Sequence, residues 1–159
     1  MGGRTFQNFH VVNALPTEAG FDYLYNGGVA TDVVNLGKYE KATWVISRGA
    51  GATGTALIQV QSCDDVTPST TTAIPFTYQV AASGDTFAAT ATAVAAGYTT
   101  AAGAGSVVVV EINAAELSGT NKYARLIATE VVNDPVSGSV ACIMSGGTVV
   151  QDIPPTAIV

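Results

Sequence analysis

The chain has 159 residues, 48% of them hydrophobic and only 11% charged, so one core of ordinary domain size is expected and much of the surface must be uncharged. Six basic against 12 acidic residues leave a formal net charge of -6, which repels phosphate backbones and anionic lipid and argues against nucleic-acid and membrane partners. No apolar run, Val107 to Val110 included, approaches the ~20 residues of a membrane helix, and Met1-Gly2-Gly3-Arg4-Thr5-Phe6 lacks the apolar core of a signal peptide, so synthesis in a cytosol is expected.

Short stretches rich in strand-forming residues, bounded by Gly, Asn, Asp, Ser or Thr, recur along the chain and leave no room for a long helix. The predicted strands are Phe9 to Leu15, Val29 to Leu36, Ala42 to Ser47, Thr55 to Cys63, Ile74 to Val80, Thr86 to Val94, Ser106 to Ile112, Tyr123 to Val132 and Ser139 to Met144. About nine strands suffice for two facing sheets, so an all-β, antiparallel, jelly-roll-like β-sandwich is expected.

Within Thr55 to Cys63, Ala56, Ile58 and Val60 alternate with Leu57, Gln59 and Gln61, which predicts one buried and one mostly polar face. Tyr123 to Val132 carries apolar residues on both faces, interrupted by Arg125 and Glu130, as an interior strand would. Ala88 to Ala102 is rich in Ala, yet Thr90, Thr92, Gly97, Thr99 and Thr100 interrupt it and favour strand plus loop. One short helical turn is predicted at Asn113 to Leu117, where Asn113 caps and Glu116 stands at capping-box spacing, with Gly119 ending it. Trp44, Tyr39, Phe76, Tyr78, Phe87 and Tyr98 lie in or beside strands and are expected to fill the core.

Three segments stand apart in domain organisation: an N-terminal arm at residues 1-8, the sandwich at 9-151, and a tail at 152-159 whose Pro154-Pro155 favours extended backbone. Phe21, Tyr23 and Tyr25 alternate among Glu, Asp and Gly, in an edge strand or an aromatic-bearing loop. The candidate partner-binding residues are therefore Arg4, Phe6, Phe9, Phe21, Tyr23, Tyr25, Ile153, Pro154 and Pro155.

Chemistry-bearing patterns are weak. Gly49 to Gly54 spells G-x-G-x-x-G after a predicted strand, but Thr55 onward has strand period, whereas a dinucleotide fingerprint needs a helix there. His10 is the only histidine, so a triad or multi-histidine metal mechanism would have to run through it alone. Cys63-Asp64-Asp65 is not followed by an acidic ladder of calcium-site spacing. The remaining carboxylates are dispersed; no catalytic residue, cofactor or metal is expected. Cys63 and Cys142 are too few for a disulfide scaffold and are expected reduced and buried.

The order of segments is more informative. Val34-Asn35-Leu36-Gly37-Lys38-Tyr39 leads to Ala42-Thr43-Trp44-Val45-Ile46, Gly51-Ala52-Thr53-Gly54-Thr55-Ala56, Val60-Gln61-Ser62-Cys63-Asp64-Asp65 and Ala73-Ile74-Pro75-Phe76. Ser83-Gly84-Asp85-Thr86 follows, then Val109 to Leu117, Tyr123-Ala124-Arg125-Leu126 and Ala141-Cys142-Ile143-Met144-Ser145. Over roughly residues 9 to 147 this resembles small structural proteins of tailed-bacteriophage virions, of the head decoration or cement type. It departs from that pattern at Phe21 to Gly28 and in the Pro-Pro tail. The resemblance implies a non-enzymatic β-sandwich that binds the major capsid protein on the outer surface of the head, stabilises capsomer junctions and self-associates as a homotrimer. A surface poor in charge suits such permanent packing, and an acidic protein gains nothing from packaged DNA. The second reading is a tail or adsorption-apparatus module that binds host-surface glycan through exposed aromatics, Tyr25 or Tyr98 among them; a polysaccharide hydrolase ranks last.

Overall fold

The structure, a computed structural model, describes residues 9-15, 24, 27-49, 53-81, 86-103, 105-133, 136-147 and 158. The strands, in chain order, are β1 (Phe9–Asn13), β2 (Val29–Ala30), β3 (Val34–Asn35), β4 (Tyr39–Arg48), β5 (Thr55–Cys63), β6 (Thr71–Ile74), β7 (Phe76–Ala81), β8 (Ala91–Ala93), β9 (Tyr98–Thr99), β10 (Val107–Asn113), β11 (Tyr123–Val132) and β12 (Gly138–Gly147). A 3-10 turn, Ala114–Glu116, follows β10. It forms where the capping spacing predicts it: the Asn113 backbone N–H donates to Glu116 Oε2 at 2.6 Å.

Two antiparallel sheets face each other. The front sheet has the order β1-β12-β4-β10-β7-β8; the back sheet runs β2-β11-β5-β6, with β3 also beside β11 and β9 also beside β5. With the insertion β7 to β9 set aside, the chain weaves β1, β4, β10 and β12 into the front sheet and β2, β5, β6 and β11 into the back. This is jelly-roll connectivity, as the strand pattern predicts.

The alternation of side chains explains why the sheets stack. On β4, Ala42, Trp44, Ile46 and Arg48 are buried while Thr43 and Val45 are half-exposed, and on β10 Val108, Val110 and Ile112 are buried. From the back sheet, Ala56, Ile58 and Val60 of β5 and Ala124, Leu126 and Ala128 of β11 meet them in one core. β11 is an interior strand, paired with β5 along its length and with β2 and β3 on its other side.

Several expected strands change on folding, and about nine strands become twelve among the described residues. Ile74 to Val80 is not one strand, because β6 ends at Ile74 in the back sheet and β7 begins at Phe76 in the front sheet. Pro75 stands at the crossing, where its missing N–H removes a ladder donor. Val29 to Leu36 divides into the two short strands β2 and β3, and Thr86 to Val94 shrinks to β8. The chain then turns at Gly97, whose φ of +99° and close approach to the Ile58 carbonyl exclude a side chain, and returns as β9. Phe87 is 41% exposed and lies outside the core, unlike Tyr39, Trp44, Phe76, Tyr78 and Tyr98. Tyr78 of the front sheet and Tyr98 of the back sheet, both within the insertion, stack across the two sheets at 4.2 Å between ring centroids.

Core and surface apolar positions are thereby separated by energy. Leu126→Ala is expected to lower unfolding stability by about 3 kcal/mol, whereas Val131→Ala, at an exposed position, changes it by no more than about 0.5 kcal/mol, as read from urea midpoints. Equal effects at the two sites would contradict this packing.

Candidate partner-binding face

The same alternation that fills the core determines what the outer face of the front sheet displays. Register places Val11 opposite Ile143, Ile143 opposite Thr43, and Thr43 opposite Glu111 in one row. The next row runs Asn13, Ala141, Val45, Val109 and Gln79, and a third places Val107 beside Ser47. Because both parities of Val107 to Val110 are apolar, one pair, Val108 and Val110, enters the core while Val107 and Val109 face outward. The outcome is an apolar outer strip framed by Ser and Thr. Val11 is 67% and Phe9 42% exposed at its β1 end.

With the adjoining row Phe9, Ser145, Lys41 and Asn113 included, charge on these rows is confined to one ion pair. Lys41 Nζ lies 2.9 Å from Glu111 Oε1, and the Thr43 hydroxyl donates to Glu111 Oε2 at 3.3 Å. Both charged side chains are partly solvated, so the pair contributes at most about 1 kcal/mol. Its two charges cancel, leaving these rows without net charge on a chain of net charge -6. The outer face of the back sheet mixes polar and apolar groups: Arg125 Nε donates to Gln61 Oε1 at 3.0 Å and the Gln59 side chain donates to the Ala96 carbonyl, beside half-exposed Leu57 and Ile127.

Of the sequence-predicted partner residues, Phe9 is described, on the exposed β1 end of the strip. Arg4, Phe6, Phe21, Tyr23, Tyr25, Ile153, Pro154 and Pro155 lie outside the described residues. Ile158, in the C-terminal segment, packs half-buried against the core. The residues that sequence reasoning missed are the outward partners of buried ones, Val45, Val107, Val109 and Ile143. Their signal was present as strands apolar on both faces.

Arg48 was missed too. It occupies an inward position of β4 and is buried, where Nη1 donates to the Ala101 carbonyl at 2.7 Å and to the Ser106 hydroxyl at 3.2 Å, and Nη2 to the Gly54 carbonyl at 2.8 Å. These bonds tie the end of β4 to the segments preceding β5 and β10. A recess of about 50 Å3 lies beside it, bordered by Tyr98, Thr100 and Gly103.

Other candidate groups are absorbed by the fold. β5 begins at Thr55, so no helix follows Gly54 to receive a pyrophosphate. The Asp64 carboxylate accepts from the Ser69 hydroxyl at 2.6 Å and from the backbone N–H groups of Ser69 and Thr70, which holds it below the usual carboxylate range. His10 stands beside Tyr39, with ring centroids 6.2 Å apart. Among the described residues no three His, Cys, Asp or Glu side chains come together as a metal site. Cys63 and Cys142 are free and buried. Burial raises both thiols; for Cys63 Arg125 opposes the rise and Asp64 adds to it, and Cys142 is pushed up to about 12. Burial likewise raises Tyr39 and Tyr98. Comparison with protein-family models, curated proteins and solved structures finds no match to this chain.

The raised thiols and phenols make the fold alkali-sensitive. Each group keeps its proton longer in the folded chain, so its contribution is complete below its unfolded pKa, near 9 for the thiols and 10 for the tyrosines, and is lost as pH rises toward the folded value. Urea unfolding at pH 7 and pH 10.5 is expected to show lower stability at the higher pH, with Cys142 contributing up to about 1.4 kcal/mol per pH unit above 9. A Cys142→Ala chain that loses as much stability over this range would contradict the assignment to that thiol.

Proposed function

We propose that the chain is a non-enzymatic virion structural protein, a decoration or cement protein on the outside of a tailed-phage head. The observation that carries this reading is the outer face of the front sheet, an apolar strip whose only charges in these rows form one internal pair. Such a face loses little hydration free energy when pressed permanently against a neighbour, whereas a Lys- and Glu-rich face would lose much. In this reading the neighbours are the major capsid protein and further copies of the chain, as a homotrimer at capsomer junctions, and the net charge of -6 favours the side of the shell away from DNA. Ser, Thr and small apolar side chains lose little rotamer entropy on docking, which further suits a standing contact. Tyr98, a sugar platform in the glycan-binding alternative, has one ring face occupied by Tyr78.

Electron microscopy of virions containing the chain is expected to find it on the outer head surface; density in the tail alone would overturn the reading. Val45→Glu and Val109→Glu are expected to weaken head binding at least tenfold while cooperative unfolding is retained, because each buries an unpaired carboxylate in the contact.

A further inference from the structure

The open side of β1 has a definite hydrogen-bonding pattern. The Ala14 N–H donates to the Val140 carbonyl at 3.1 Å, in the register that pairs Val12 with Cys142 and His10 with Met144. In an antiparallel ladder, residues of that parity exchange their backbone bonds with β12. The N–H and C=O groups of Phe9, Val11 and Asn13 therefore point away from β12, to an edge along which no described residue pairs. The side chains of the same three residues continue the outer strip.

We propose that this edge pairs with β1 of a second copy of the chain, antiparallel and two-fold symmetric about Val11. The sequence Phe9-His10-Val11-Val12-Asn13 suits that partner because its register closes on itself. Val11 exchanges both backbone bonds with the partner's Val11, and Phe9 and Asn13 do so with the partner's Asn13 and Phe9. Neither strand brings a carboxylate or an ammonium to the contact, and their β12 neighbours Ala141, Ile143 and Ser145 are uncharged, so two copies of net charge -6 meet over neutral strips. Across the axis Ile143, Val11 and their two-fold mates form one apolar row, so the front sheets join into a single sheet with a doubled apolar face. β1 also lacks the Lys, Pro or bulge by which an edge is usually kept from pairing.

A five-residue edge is small beside the ~1,200 Å2 of a stable complex, so the pairing is reversible and concentration-dependent. It joins free copies in solution, and it stands on strand geometry whether or not a phage head is the partner. A shell that holds copies side by side would raise their local concentration and favour it.

Sedimentation equilibrium of the full chain over a wide concentration range tests this. The mass is expected to double from its dilute value. Val11→Lys sets two ammonium groups together on the axis, and Val11→Pro removes an N–H that β12 does not use; both are expected to hold the dilute mass at every concentration. Val131→Lys, an equal change of charge at an exposed position on the back sheet, is expected to double as the parent does. A parent mass independent of concentration, doubling that survives in whichever Val11 variant folds, or equal loss in Val131→Lys would each overturn the proposal.

Discussion

Everything in this fold hangs on β4, which is hydrogen-bonded on both sides, to β12 and to β10. A strand in that position has no freedom of register: a slip of one residue would bring Thr43 and Val45 into the core and turn Trp44 and Ile46 to the outside. Trp44 and Ile46 are fully buried, so the loss would be several kcal/mol from those two side chains alone. Once β4 is placed, β10 and β12 must show their own alternate residues inward. The apolar outer strip is what remains on the other side.

That strip separates this jelly roll from a sandwich with one dry and one wet face. Val45, Val107, Val109 and Ile143 contribute nothing to the core, and a chain selected only to fold would have no need of them on the outside. The back sheet's outer face carries Arg125 bonded to Gln61 and Gln59 bonded to backbone, beside half-exposed Leu57 and Ile127. Arg48, by contrast, spends its donors inside the molecule and holds the ends of strands together.

Much of this was legible in the sequence. Thr55 to Cys63 and Tyr123 to Val132 were readable to the residue, because strict alternation or a long apolar run bounded by turn residues leaves little choice. The capped turn after β10 was equally plain. The passage from β6 to β9 was not, since local pattern cannot tell that the chain changes sheets at Pro75 or that β9 returns beside β5. Strands of two or three residues owe their existence to a neighbour's ladder and leave little local signal. The sequence directs partner contact to the arms and the aromatic segment, and only Phe9 of those candidates lies beside the outward residues of the central strands, at the β1 edge.

The claim that the front sheet ends in an open, self-complementary edge is tested most directly by amide hydrogen exchange resolved residue by residue, at high and low protein concentration. Slow exchange is expected at His10 and Val12 at both concentrations, and at Val11 only at the higher, where a second copy covers it. Uniform exchange along β1, or a Val11 amide that exchanges fast however concentrated the protein, would contradict it.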